Sequence, residues 1–188
     1  VDAHGAIVYA TSFAYAKGVL EFVSEQSDVH YYCRRDIPAP IADVGERIVS
    51  AFALRSRFFH IEVFVLQDGS VRPLEVNVRP PGGFTLDMMN YAADTDLYDV
   101  WARIALGQSV ASFRYERKYF TAHVGRRSHR RYRLADEGVP GALGPALIAT
   151  PDVPPMIGAG MGSPVYLLRH EDESELRALI AKLIEPAP

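Results

Sequence analysis

Apolar and polar residues alternate most regularly in two adjacent runs, Phe58 to Leu66 and Val71 to Arg79, and a period of two predicts a pair of strands. Gln67-Asp68-Gly69-Ser70 separates them, and Asp-Gly between apolar runs marks a hairpin. Elsewhere the period is helical. Ile41, Val44, Ile48 and Phe52 recur at helical spacing behind Pro40, which suits a first helical turn. Asp87 to Ala93 predicts a short helix, and Leu97, Val100, Trp101, Ile104 and Ala105 predict a further one ending at Gly107. Leu176, Leu179, Ile180, Leu183 and Ile184 form the stripe of a last helix, with Asp172 and Glu175 placed as a capping pair. Shorter apolar runs predict strands at Ala6 to Ala10, Gly18 to Val23, Tyr119 to Val124 and Val165 to Leu168. From Gly138 to Pro164 the chain is rich in Pro and Gly. Within that stretch Gly158, Gly160 and Gly162 do not lead from a strand into a helix, so they read as a flexible turn rather than a dinucleotide loop. The pattern as a whole predicts an α+β fold, a mainly antiparallel sheet flanked by helices.

Composition narrows this. With 188 residues, 48% of them hydrophobic, the chain can bury a sizeable core as one domain or two small lobes. A formal charge of -3 excludes a globally basic nucleic-acid binder and leaves local patches open. One such patch runs from Arg114 to Arg133, with eight basic residues and one acid, Glu116. It is an anion or nucleic-acid candidate, although such runs are usually solvated faces, and sparse aromatic interleaving favours the plainer reading. Cys33 is the single cysteine, so no intrachain disulfide exists, and it reads as a small half-buried residue. No apolar run approaches the roughly 20 residues of a membrane span and no signal peptide is evident, which predicts a soluble cytoplasmic protein. The chain starts at Val1 with residues that already read as turn and strand, so it is expected to be part of a longer one.

The hairpin carries the candidate chemistry. His60, Glu62 and Phe64 share one face of its first strand; Glu75, Asn77 and Arg79 share one face of its second. A register pairing Gln67 with Ser70 sets Glu62 opposite Glu75 and His60 opposite Asn77. Facing carboxylates repel unless a cation sits between them or one stays protonated. Mg2+ prefers oxygen ligands, commonly one or two carboxylates with substrate phosphates, and an amide carbonyl suits it. Glu62, Glu75 and Asn77 are therefore the candidate metal ligands, and Arg79 a candidate for neutralising a transferring phosphoryl group. Gly82 and Gly83 follow, where bare backbone can approach an anion. His60 is a candidate acid/base or substrate contact, and Phe84 and Thr85 candidate lining of an acceptor pocket. Met88 and Met89 read as core packing. Taken singly, an exposed strand glutamate is ordinarily only solvated and Arg79 only an ion-pair partner; it is their spacing, parity and following glycine pair that point to a site.

The segment from Phe58 to Gly107, with HIE, a hairpin, EVNVRPPGG, a helix and DLYDVWARIALG, resembles the C-terminal catalytic lobe of the ATP-grasp superfamily. The likeness extends more loosely over residues 1–188, with a closing strand and helix at 165–184. It implies Glu62, Glu75 and Asn77 as Mg2+ (or Mn2+) ligands, Arg79 as the base contacting phosphoryl oxygens, and ATP as co-substrate. It implies a carboxylate-amine or carboxylate-thiol ligase that phosphorylates a carboxylate and lets an amine or other nucleophile capture the acyl phosphate. Lys17, Lys118 and Lys182 are the only lysines and none sits in a phosphate-binding loop. The N-terminal nucleotide-binding lobe is therefore expected outside these residues, and this chain by itself is expected to be inactive. A strand at Ala6 to Ala10 would have only the end of its partner at Val1, an edge open to the missing lobe or to a second copy. The alternatives are a non-catalytic ATP-grasp-like binding or dimerisation module, and an anion or nucleic-acid binder acting through residues 114–133.

Overall fold

The computed structural model describes residues 1–188, apart from the side chain of Val19. In chain order the elements are β1 (Ser12–Tyr15), α1 (Val19–Ser24), β2 (Val29–Arg34), α2 (Ala39–Ala51), β3 (His60–Val65), β4 (Val71–Asn77), α3 (Thr85–Ala93) and α4 (Leu97–Ala105). There follow β5 (Phe120–Gly125), α5 (Val139–Leu143), β6 (Leu147–Ala149), α6 (Pro155–Met161), β7 (Val165–His170) and α7 (Glu173–Ile184). They form two compact units. The first comprises Val1–Ser12, Asp36–Asn90 and Asp94–Glu116; the second comprises Phe13–Arg35, Tyr91–Ala93 and Arg117–Pro188.

The second unit is built on a five-stranded sheet in the order β1-β2-β5-β7-β6, with β2, β5, β7 and β6 pairing antiparallel in turn. Alternation divides its side chains. Tyr32, Ala122 and Leu168 lie side by side across three strands, as do Val124 and Tyr166, and this face packs against Leu176, Ile180 and Leu183 of α7 and Val139 and Leu143 of α5. Asp172 caps α7 as its position predicts: Glu175 N donates to the Asp172 carboxylate at 3.0 Å. The opposite face is unusually polar for its burial. Tyr31, Cys33, Thr121 and His123 are all nearly or fully inaccessible there. Cys33 is thus a fully buried residue, not a half-buried one. The rings of Tyr15, Tyr31 and His123 stack in series, with centroids 4.5 and 4.8 Å apart.

His123 Nε2 donates to the Met161 carbonyl at 3.1 Å, and burial drives its pKa down from 6.5 to about 4. Because the unfolded chain takes up this proton near 6.5 and the folded one only near 4, the contribution is complete above pH 6.5 and is lost as pH falls toward 4. Urea unfolding of wild type and His123→Gln should show wild type losing about 2–3 kcal/mol relative to the variant between about pH 7 and about pH 4.5. Parallel pH profiles would contradict the buried neutral imidazole.

Three sequence expectations fail. Residues 6–10 form no strand; the strand comes later, at β1, which removes the half-hairpin expected at Val1. The run from Gly18 to Val23 is helical rather than a strand, as α1 behind Gly18, and among its described side chains Phe22 is the buried one. Gly158 and Gly160 lie inside α6, opened by Pro155 in its first turn, and are not a flexible turn. The helices α2, α3 and α4 fall where the periodicity puts them, with the end of α3, Tyr91–Ala93, counted in the second unit. Met88 and Met89 are core residues, 0% and 8% exposed.

Candidate functional site

The first unit presents the hairpin β3–β4 as a two-stranded antiparallel sheet. Gly69, at φ +80, closes its turn, with Leu66 N donating to Ser70 O at 2.8 Å. This turn is one residue longer than the expected one, since Val65 opposes Val71 and Phe64 opposes Arg72. A bulge between Glu62 and Val63 on one strand, where the partner steps from Pro73 to Glu75, restores the count. Proline has no N–H to give to a ladder, so Pro73 sits where a ladder is already interrupted. Below the bulge Glu62 opposes Glu75 and His60 opposes Asn77, the pairs expected from the sequence.

Two carboxylates therefore face each other at one ladder position. Both are exposed, and among the described residues neither forms an ion pair with Lys or Arg. Asn77 Nδ2 donates to Glu75 Oε1 at 2.7 Å, which fixes the amide so that its oxygen remains as an acceptor. No group of three or more His, Cys, Asp and Glu forms among the described residues, so the donor set is two carboxylates and one amide oxygen. That set is all oxygen and doubly negative, and it fits a hard divalent cation with open positions for phosphate better than it fits zinc.

β4 ends at Asn77 and the backbone bends at Val78 and Arg79, so strand alternation does not orient Arg79. Its placement comes from elsewhere. His60 Nδ1 donates to the Arg79 carbonyl at 3.2 Å, which leaves Nε2 as the basic nitrogen of a neutral imidazole. Arg79 Nη1 donates to Pro80 O at 3.1 Å. Gly83 holds φ +61, a left-handed conformation that favours glycine, whereas a Cβ at Gly82 would meet open space. Thr85 N donates to Gly82 O at 3.4 Å as the loop enters α3. Thr85 itself is buried at the start of α3.

Beside this loop lies a hollow of about 340 Å3 lined by Arg79, Pro80, Pro81, Gly83, Leu86, Tyr98 and Trp101. Neither Phe84 nor Thr85 lines it, and neither do the acidic residues of the hairpin. Sequence reasoning missed Tyr98 altogether and put Trp101 on the buried stripe of α4. The stripe is Leu97, Val100 and Ile104; Trp101 stands beside it, 45% exposed. The available signal was its neighbour, since Val100 and Trp101 cannot both lie at the centre of a narrow stripe. The bulge also moves Arg72. In the expected register it opposes Val65, but it opposes Phe64 and so shares the face of Glu62.

The basic run divides. Arg126 and Arg127 are 0% and 5% exposed, bonded to backbone carbonyls of Leu183, Ser27, Ala159 and Phe22, so residues 114–133 do not make a continuous solvated basic face.

The solved structures that resemble this chain include a synthetase and a ligase. Phosphoribosylglycinamide synthetase from Anaerococcus prevotii matches with a TM-score of 0.59 at 11% identity, over 82% of this chain and 43% of that one. L-amino acid ligase from Bacillus licheniformis matches with a TM-score of 0.61 at 15% identity, over 81% and 41%. This chain thus spans less than half the length of either. No protein-family model matches the sequence, and no curated protein does. At these identities the likeness establishes the fold alone: α+β, mainly antiparallel, and similar to part of the ATP-grasp fold.

Proposed function

We propose that this chain supplies the phosphoryl-transfer half of an ATP-grasp ligase that joins a carboxylate to an amine or thiol through an acyl phosphate. The observation that carries the reading is the uncompensated acidic pair: Glu62 directly opposite Glu75, with Asn77 bonded to Glu75 and, among the described residues, no Lys or Arg ion-paired with either. Mutual repulsion on an exposed ladder is tolerated where a bound cation relieves it. Glu62, Glu75 and the Asn77 oxygen would hold Mg2+, which when bound offsets polyphosphate charge.

The remaining residues act on the organic groups. A carboxylate oxygen attacks the γ-phosphorus, the bridging bond to the β-phosphate breaks, and ADP leaves. The nucleophile then adds to the acyl carbon, loses its proton and expels phosphate. Arg79 has N–H donors beyond the one given to Pro80, and it neutralises the carboxylate and the developing phosphoryl charge. His60 Nε2 is the candidate acceptor for the nucleophile's proton. Nucleotide binding falls to an upstream lobe. Lys17, Lys118 and Lys182 all belong to the second unit, with Lys17 paired to Glu25 and Lys182 bonded to Ala142 O.

The test is carboxylate-dependent ADP release with hydroxylamine as the trapping nucleophile, run on this chain and on one carrying the residues encoded upstream. The longer chain should form acyl hydroxamate, and Glu75→Gln should lower kcat by about a hundredfold with its circular dichroism unchanged. This chain alone should bind MgATP weakly. Wild-type turnover in Glu75→Gln would end the role assigned to the acidic pair.

A further inference from the structure

We propose that the hollow beside Arg79 is a specificity pocket for an apolar monocarboxylic acid, whose carboxylate meets Arg79 and whose hydrocarbon body lies against Leu86, Tyr98 and Trp101. The inference rests on the ligase reading for its role in turnover, but not for the binding itself. Its volume, about 340 Å3, is at the lower end of small-molecule sites. Arg79 is its one charged lining residue. Among the described residues no acidic side chain lines it, and the nearby Asp87 carboxylate already accepts from Tyr98 Oη, so an α-ammonium group would find no lining carboxylate to receive it.

The rest of the wall is apolar. Pro80 and Pro81 offer no N–H. Leu86, 3% exposed, makes the floor. Tyr98 and Trp101, 44% and 45% exposed, make the side formed by α4, where they flank the buried stripe. Tyr98 Oη donates to Asp87 at 3.0 Å, so its hydroxyl is already engaged and its ring is what the hollow meets. An aromatic pair left half open beside a guanidinium is suited to an organic anion with a hydrocarbon tail: the tail buries ring surface and the carboxylate accepts from Arg79.

Trp101 is the only tryptophan, so its fluorescence reports on this hollow directly. Titrations of this chain, without nucleotide or metal, would use 4-methylpentanoate and 3-phenylpropanoate, with acetate, leucine and 4-methylpentanamide for comparison. The two apolar acids should change the emission saturably. Acetate, the amide and leucine should bind at least about tenfold more weakly, because each lacks the tail, lacks the charge, or carries an ammonium group. Arg79→Met should weaken 4-methylpentanoate by about tenfold or more, and so should Trp101→Leu when followed by calorimetry. No saturable response to either apolar acid, or undiminished binding of the amide, would overturn the proposal, as would unchanged affinity in Arg79→Met. The two readings fail separately. Binding without ligase turnover in the longer chain would remove the ligase and leave the pocket; turnover whose KM for apolar acids ignores Trp101→Leu would remove the pocket and leave the ligase.

Discussion

Gly125→Ala is expected to destabilise the protein by about 3 kcal/mol or more, through overlap that no rotamer can relieve. A Cβ there would lie 1.9 Å from the Met161 carbonyl oxygen, 2.9 Å from its carbon and 3.1 Å from Gly162 Cα, all of them backbone atoms. Gly162 is equally constrained, since it holds φ +85 and its own Cβ would stand 2.5 Å from the Gly125 carbonyl carbon. Gly125 ends β5 between Val29 and Val165, so it cannot retreat without opening two ladders. Retreat would also strain the bond from Ser163 N to Arg126 O at 2.8 Å and the one from Arg126 N to Pro164 O at 3.0 Å. Urea unfolding measures the effect, with Gly45→Ala as the control. Gly45 lies within α2 with nothing near its would-be Cβ, so alanine there should be neutral or stabilising by up to about 1 kcal/mol. A Gly125→Ala protein as stable as wild type would show that α6 does not pack where the structure puts it.

The second large effect is at Arg126. Its guanidinium is fully buried, donating through Nε to Leu183 O at 2.8 Å and through Nη1 to Asp136 at 2.5 Å, and lying 4.3 Å from the Tyr132 ring centroid. Leu183 is in the last turn of α7, where carbonyls lack helical partners, so Arg126 ties the end of that helix to the sheet. Asp136 also accepts from Tyr166 Oη at 2.8 Å. Arg126→Met keeps the apolar stem and loses both bonds, with an expected cost of about 3 kcal/mol. Arg126→Lys should recover less than half of that, because an ammonium group cannot reproduce the planar fork and stack together. Asp136→Asn should cost much less, since that carboxylate stays 53% exposed and hydrated. Arg126→Met unfolding at wild-type denaturant concentration would reduce the residue to a bystander.

Where one physical signal dominated, the sequence was readable. The hairpin, α2, α4 and α7 each carry a clear period, and the facing pair of glutamates follows from keeping the apolar and charged sets on opposite faces, which the bulge preserves although the register at the turn is shifted. The failures lie where two signals compete. GVLEFV suits a buried strand as well as one turn of helix; among the described side chains of α1 only Phe22 is buried, and tertiary contacts decided. The glycines of α6 argue against helix by propensity, and the helix signal was Pro155 in its first turn; closeness to Gly125 constrains Gly162 just past the helix, whereas a Cβ at Gly160 would meet open space. Arg126 and Arg127 look like surface charge in any count of basic residues. Their burial depends on carbonyls that come from as far along the chain as Phe22 and Leu183, which no local pattern can reveal. For the same reason the hollow was invisible: its walls come from the proline loop and from α4, where the periodicity counts Trp101 in the apolar stripe and passes over Tyr98.

The bulge in the hairpin also constrains how this sequence can change. Leu74 is the residue the bulge leaves without an opposite number, so its loss would set Pro73 and Glu75 in succession opposite Val63 and Glu62 and keep the acidic pair on one rung. A residue gained between Glu62 and Val63 would do the same by giving Leu74 a partner. Length variation in this hairpin is therefore expected at the bulge, and a gap at position 74 in an aligned relative, or a residue gained before position 63, should mark a ladder that runs straight while Glu62 and Glu75 stay paired.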